Sequence, residues 1–188
     1  MTKFLEIEHK YVVDQSFDLQ AFETKVLALK PFSQTSVRQV KDTYYRSAAK
    51  PDLIFRHRYD EQLQHLTVKS FGKKDGEVRT EINLLLSQEN DDQSETVQAF
   101  LQTLEVKYFG CLYKDIRVFM FEDCEICLYK ARRKDSQTEI TCIEFEAKHP
   151  LSEKHGLDIL ANYEKKLDID PKTREKRSLF ELLIAFTC

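Results

Sequence analysis

No stretch of the 188 residues approaches the roughly 18 to 20 consecutive apolar residues of a membrane-spanning helix. The opening MTKFLEIEHK also lacks the apolar run of an export signal. A cytoplasmic chain without membrane contact is the expectation that follows. Cysteine is sparse and odd in number, at Cys111, Cys124, Cys127, Cys142 and Cys188. Without an export signal, reduced thiols are expected rather than a disulfide framework. The CEIC spacing at Cys124 and Cys127 has no second pair, and on a strand an i,i+3 pair faces opposite sides, which argues against a zinc or redox site. The sequence has no GxSxG, no Cys/His signature and no GxxxxGK, so hydrolases of those designs and P-loop enzymes are excluded. The five histidines show no metal-ligand spacing and read as ordinary surface or core residues. A net charge of -3 supplies no overall basic field, so nucleic acid is not an expected partner and any anion site must come from local clustering.

What is present is the composition of a globular chain. Proline- and serine-rich tracts are lacking, 41% of residues are hydrophobic, and Phe and Tyr number 13 and 8, so the whole length should fold as one domain over 1–188. Residues 3–13 alternate with period two, Phe4, Glu6, Glu8 and Lys10 on one face and Leu5, Ile7 and His9 on the other, which predicts a strand. Residues 18–30 predict a helix with Leu19, Phe22, Val26 and Leu29 on its apolar side, closed by Pro31. Strands follow at 37–45, 52–59, 65–71 and 78–86, with turns near Ala49–Pro51 and Gly72–Gly76. A second helix is predicted over 92–107, with Val97, Phe100, Leu101 and Leu104 on one face. Strands at 111–121, 125–133 and 141–148 come next, turning near Glu122–Asp123 and Lys134–Gln137, and two helices at 153–166 and 178–186 finish the chain. Without βαβ alternation, this order predicts an α+β fold on a mainly antiparallel sheet.

The charges on these strands are sorted. Glu6/Glu8/Lys10, Arg56/Arg58, Thr67/Lys69, Arg79/Glu81 and Glu144/Glu146 each recur at i,i+2, so each set lies on one side of its strand. Any one such face could simply meet water. Together they put acids on the first and last strands and bases on the middle ones, while the opposite faces are apolar. Closing the sheet into a barrel of about eight strands would enclose those charges around a small ligand. Arginine forks and lysine ammonium groups suit phosphate oxygens, and carboxylates tolerate the same anion when Mg²⁺ or Mn²⁺ lies between.

EIEHK at Glu6–Lys10 resembles the ExExK motif of the CYTH, or triphosphate tunnel metalloenzyme, superfamily. DTYY at Asp42–Tyr45, FRHR at Phe55–Arg58, TVK at Thr67–Lys69, RTE at Arg79–Glu81, Arg117, EFE at Glu144–Glu146 and SLFELL at Ser178–Leu183 follow in that family's order. The resemblance spans nearly the whole chain. It implies a closed eight-stranded antiparallel β-barrel with helices packed outside, and Mg²⁺- or Mn²⁺-dependent hydrolysis of inorganic, thiamine or nucleoside triphosphate, or cyclisation of ATP. It further implies metal ligands at Glu6, Glu8, Glu144 and Glu146, and a phosphate grip from Lys10, Arg56, Arg58, Lys69, Arg79 and Arg117. Lys176 would lie over the tunnel mouth, and Glu81 would orient a base or hold the metal. Glu6, Glu8, Lys10 and Glu81 form the implied catalytic set. Such a closed barrel has no free edge that forces association, so a monomer or homodimer is expected.

Two departures stand out. Tyr129 or Lys130 occupies the place where the family carries an acid on the strand before the last, and Asp115 stands where it prefers a lysine two residues before Arg117. Lys114 has the wrong parity to fill that place without a bulge. The leading expectation is a triphosphate phosphohydrolase, with a class IV-type adenylyl cyclase or a non-catalytic polyphosphate- or nucleotide-binding module as alternatives.

Overall fold

The computed structural model describes residues 4–70, 77–87, 91–134, 136 and 138–184. Eight strands, β1 (Leu5–Val13), β2 (Ser33–Ser47), β3 (Lys50–Tyr59), β4 (Gln64–Ser70), β5 (Val78–Leu85), β6 (Val106–Met120), β7 (Cys124–Arg133) and β8 (Glu139–Ala147), form a closed barrel in the order β1-β5-β4-β3-β2-β6-β7-β8. Every neighbouring pair is antiparallel, and β8 returns to β1. The α+β class, the strand number and the closure all agree with the expectation from sequence. No described helix is long and apolar enough to cross a membrane.

Each strand presents two faces, and helices cover much of the outer one. From β1, β6, β7 and β8, Ile7, Tyr11, Phe119, Ile126, Ile143 and Phe145 pack with Phe22 and Val26 of α1 (Leu19–Ala28) and with Ile159, Leu160, Tyr163 and Leu167 of α3 (Glu153–Leu167). The α3 residues recur at three- and four-residue spacing and so share one stripe. Ser152 caps α3 by accepting from the His155 amide at 3.1 Å, and Asp168, at φ 59°, ends it. Helix α2 (Ser94–Thr103) buries Val97 and Leu101 against Tyr45, Leu66 and Val106.

That second helix is shorter than the predicted 92–107. Glu105 takes a left-handed φ of 58°, and Val106 already belongs to β6, where it is buried. Phe100 and Leu104, predicted on the buried face, are more than half exposed. The last helix, α4 (Leu179–Leu183), carries a reciprocal capping box: Ser178 Oγ accepts from the Glu181 amide, and the Glu181 carboxylate accepts from the Ser178 amide at 2.7 Å. Its predicted end at Phe186 and the turn at Gly72–Gly76 lie outside the described residues, as do positions 135 and 137 of the turn predicted near Lys134–Gln137. Leu179, Phe180 and Leu183 pack against Tyr44, Ile54, Leu112 and Cys142, across one end of the barrel interior.

Gly156 marks the tightest approach of α3 to β1: a Cβ there would lie 2.4 Å from Ile7 Cδ1 and 3.3 Å from Pro150 Cβ. Because Ile7 is fully buried and cannot swing aside, Gly156→Val is expected to destabilise the chain by about 1–3 kcal/mol, measured by chemical denaturation.

Candidate functional site

Inward-facing positions of the barrel enclose a cavity of about 350 Å³. The period-two rule decides which side chains reach it. Glu6, Glu8 and Lys10 come from β1, Arg79 and Glu81 from β5, His65 and Lys69 from β4, and Arg56 and Arg58 from β3. Lys114 and Ile116 come from β6, Glu125, Cys127 and Tyr129 from β7, and Glu144, Glu146 and Lys148 from β8 and the residue following it. Ten of the twelve residues singled out in the sequence therefore share one cavity: Glu6, Glu8, Lys10, Arg56, Arg58, Lys69, Arg79, Glu81, Glu144 and Glu146.

The walls are chemically unequal. Strand register sets Glu146 directly opposite Glu8 on one side and Glu125 on the other, so three carboxylates form a row across β1, β8 and β7. Lys10, Glu144 and Cys127 form the next row. Facing them, β3, β4 and β5 contribute Arg56, Arg58, Lys69 and Arg79. Buried charge of this density persists only when it is paired. Lys69 Nζ lies 2.7 Å from Glu6 and also contacts Glu81. Arg79 reaches Glu6 at 2.8 Å and Glu8 at 3.0 Å. Lys10 Nζ lies 3.2 Å from Glu8 and 3.3 Å from Glu144, and Lys148 Nζ 2.9 Å from Glu125 and 3.0 Å from Glu146. Among the described residues, no group of three or more His, Cys, Asp or Glu side chains is gathered tightly enough to hold a metal.

Crowding divides the acids. Burial, with repulsion from Glu8 and Glu81, pushes Glu6 up to about 8 despite the pull of Lys69 and Arg79. Burial opposes ionisation of Glu8 too, but Lys10 and Arg79 hold it well below the usual carboxylate range. Lys69 and Arg56 do the same for Glu81 against its burial. Burial raises Glu146. One oxygen-rich wall thus carries more negative charge than its ammonium and guanidinium partners comfortably neutralise.

Two of the twelve do not face the cavity. Arg117 points outward and pairs with Glu23 of α1. The cause is its neighbour Phe119, which is fully buried against α1 and fixes the outward face of β6; Arg117, two residues away, follows it. Ile116 consequently takes the inward place, and Lys114, not Arg117, is the base that β6 offers. A bulge does exist here, between Val37 and Val40 of β2, where Gln39 has a φ of 57° and its amide donates to Asp115 at 2.9 Å. Lys176 is exposed in the segment before α4 and does not line the cavity. That segment instead meets β1 through the Glu175 amide, which donates to the Lys10 carbonyl at 2.8 Å.

Sequence reasoning missed Asp42, His65, Lys114, Glu125 and Lys148. Parity could have found three of them: His65 is in phase with Thr67 and Lys69, Glu125 with Tyr129, and Lys148 with Glu146. Glu125 supplies an inward acid on β7, four residues before Tyr129, whose hydroxyl donates to Glu144 at 2.6 Å. His65 is not the ordinary histidine expected. It lines the cavity, and burial, with Arg56 and Arg58 beside it, pushes its pKa down to about 3.

The fold disfavours the His65 imidazolium, so the stability this residue supports is in place above about pH 6.5 and is lost as the pH falls towards 3. His65→Gln is expected to be less acid-sensitive than the wild type, the difference growing to ~2–4 kcal/mol near pH 3 and vanishing above pH 7. Parallel denaturation series measure it.

No family model and no curated protein sequence matches the chain. Solved structures do. A Pyrococcus horikoshii protein aligns over 95% of this chain and 99% of its own, at 16% identity and a TM-score of 0.74. A proposed adenylate cyclase from Bacillus halodurans aligns over 97% and 98%, at 20% identity and 0.63. A proposed adenylyl cyclase from Hippeastrum with a dominant triphosphatase activity aligns over 95% and 93%, at 15% identity and 0.56. The chain has the fold of these proteins, an eight-stranded antiparallel barrel, in agreement with the resemblance of its sequence to the CYTH superfamily.

Proposed function

We propose that the chain binds a triphosphate in the barrel cavity and hydrolyses it with the help of Mg²⁺ or Mn²⁺. The observation that carries this reading is the sorting of the cavity walls: among the described residues, five of the six lining carboxylates lie on β1, β7 and β8, and all three lining guanidinium groups lie on β3 and β5, with Lys69 between them on β4. Among the described residues, seven Lys and Arg and six Glu line the cavity, a formal surplus of one positive charge, well short of what a triphosphate carries. The donor set suits a hard divalent cation by its chemistry, with carboxylate oxygens and Glu8 opposite Glu146 across strands, but in the free chain these acids pair with Lys10, Arg79 and Lys148 and would have to draw together to hold it. Glu6, Glu8, Glu144 and Glu146 would hold it, with Glu81 beside them. When bound, such an ion supplies positive charge against the phosphate oxygens and lowers the pKa of a coordinated water.

The chain's own residues do the rest. Arg56 is buried, lines the cavity and has a guanidinium Nε without a hydrogen-bond partner, leaving a directed donor for an anion. Lys69 and Arg79 bridge the two walls, Lys10 pairs within the acidic one, and each can exchange a carboxylate for a phosphate oxygen. In phosphoryl transfer the charge spreads over the oxygens of the moving group, so fixed cations account for most of the acceleration. Glu8 stays ionised beside Lys10 and Arg79, which suits it to holding a cation and makes it a weak base.

Phosphate release from inorganic triphosphate, thiamine triphosphate and ATP, with cyclic AMP followed in parallel, tests the reading. Turnover that needs Mg²⁺ or Mn²⁺ and falls at least 100-fold in both Glu6→Gln and Arg56→Ala is expected. Cyclic AMP and pyrophosphate from ATP would point to a cyclase instead, and silence toward every substrate with no triphosphate-induced thermal stabilisation would sink the proposal.

One contact favours a second reading, a module that binds triphosphate without cleaving it. Tyr129 sits where an acid was expected, and its hydroxyl occupies Glu144. On that reading wild-type protein is thermally stabilised by triphosphate without turnover, and Tyr129→Asp, which frees Glu144 and adds a carboxylate, raises phosphate release above background.

A further inference from the structure

Asp42 lies on β2 with no exposed surface, and it is not part of the cavity lining. Three charge-assisted contacts converge on it. Arg58 donates from Nε at 2.7 Å and from Nη2 at 2.8 Å, the side-on fork that fixes a guanidinium plane, and Lys114 Nζ approaches at 2.6 Å. Both of these bases do line the cavity, Arg58 from β3 and Lys114 from β6. Strand register brings them to one place: Asp42 is the direct partner of Arg58 on one side and of Leu112 on the other, two residues from Lys114.

From this we infer that Asp42 is a positioning residue for the phosphate grip, holding Arg58 and Lys114 in place from the inward face of β2, which it shares with Tyr44. The inference rests on the triphosphate reading above and extends it to a residue outside the cavity lining. Arg56, Arg58 and Lys114 are three like charges gathered at one wall, and in a low-dielectric interior they would push each other apart or shed a proton. A single buried carboxylate beside them is the counter-charge that lets them stay. With Nε and one Nη2 hydrogen committed to Asp42, Arg58 keeps its Nη1 edge for the cavity. Lys114 shows how finely this is balanced: burial, and then Arg58 and Arg56, pull its pKa down to about 8 even with Asp42 holding it up. Tyr129, whose ring centroid is 5.3 Å from Lys114 Nζ, completes its surroundings from β7, and Glu144 acts on it from β8.

The test turns on a sign. Asp42→Asn removes a negative charge from an anion-binding barrel, so on charge count alone a folded variant binds triphosphate more tightly. If Asp42 positions the grip, binding weakens instead, because Arg58 is released from its fork and Lys114 loses the partner that keeps it protonated. Calorimetric titration with inorganic triphosphate and Mg²⁺, on full-length protein shown to be folded by its thermal transition, is expected to give at least a 10-fold weaker Kd for Asp42→Asn than for wild type. The conservative variant Asp42→Glu, which keeps the counter-charge, is expected to lose less affinity than Asp42→Asn and serves if that variant does not fold. Equal or tighter binding by a folded variant overturns the inference. No binding by the wild type overturns the triphosphate reading, and this inference with it.

Discussion

Everything in this molecule depends on placing charge on the inside of a closed sheet. An antiparallel barrel must satisfy two faces of every strand, and here the apolar faces of β1, β6, β7 and β8 turn outward to α1 and α3, while the charged side chains turn inward beside an apolar end packed under α4. Burying so many ionised groups is tolerable only because each acid has a base within ion-pairing distance, across the cavity or along the wall. Stability and function therefore draw on the same contacts. The pairs that neutralise Glu6, Glu8 and Glu144 in the free protein are those that a ligand and its counter-ions must reorganise.

The helices serve this arrangement from outside. Helices α1 and α3 cover the backs of the strands that carry most of the acids, and their apolar side chains fix strand register, which decides face by face what enters the cavity. A further buried network does the same by polar means. The Glu164 carboxylate of α3 receives the Tyr11 hydroxyl at 2.5 Å and Arg174 Nη2 at 2.6 Å, and it lies 2.6 Å from His9 Nδ1. One carboxylate thus ties β1, α3 and the segment leading to α4 together, and burial is offset by three partners.

Most of this was legible in the sequence because period two is a strict rule over short distances. Once the acids of EIE and EFE and the bases of FRHR and TVK were read as single faces, closing the sheet brought them together. The failures were of two physical kinds. Arg117 was misplaced because parity within a strand is local but its phase is set by tertiary packing, in this case by Phe119 against α1. Asp42 was passed over because nothing in DTYY reveals that its carboxylate pairs with two cations from strands β3 and β6, a fact of register and not of motif. The predicted second helix ran long for a related reason: Leu104 fits the helical stripe, yet Glu105 turns the chain so that Val106 can enter β6.

The carboxylate wall joins β1 to β8, strands from opposite ends of the chain. No local contact can assemble it, and closure of the long loop from residue 8 to residue 146 must come before the pairing of Glu8 with Glu146 is reached. During synthesis the hairpins β2–β3, β3–β4 and β4–β5 can form while β1 still lacks β8. The EIEHK strand precedes the other seven in the chain and closes the ring only against the last of them. The enclosed charge therefore exists as a property of the completed ring, and no single hairpin carries it.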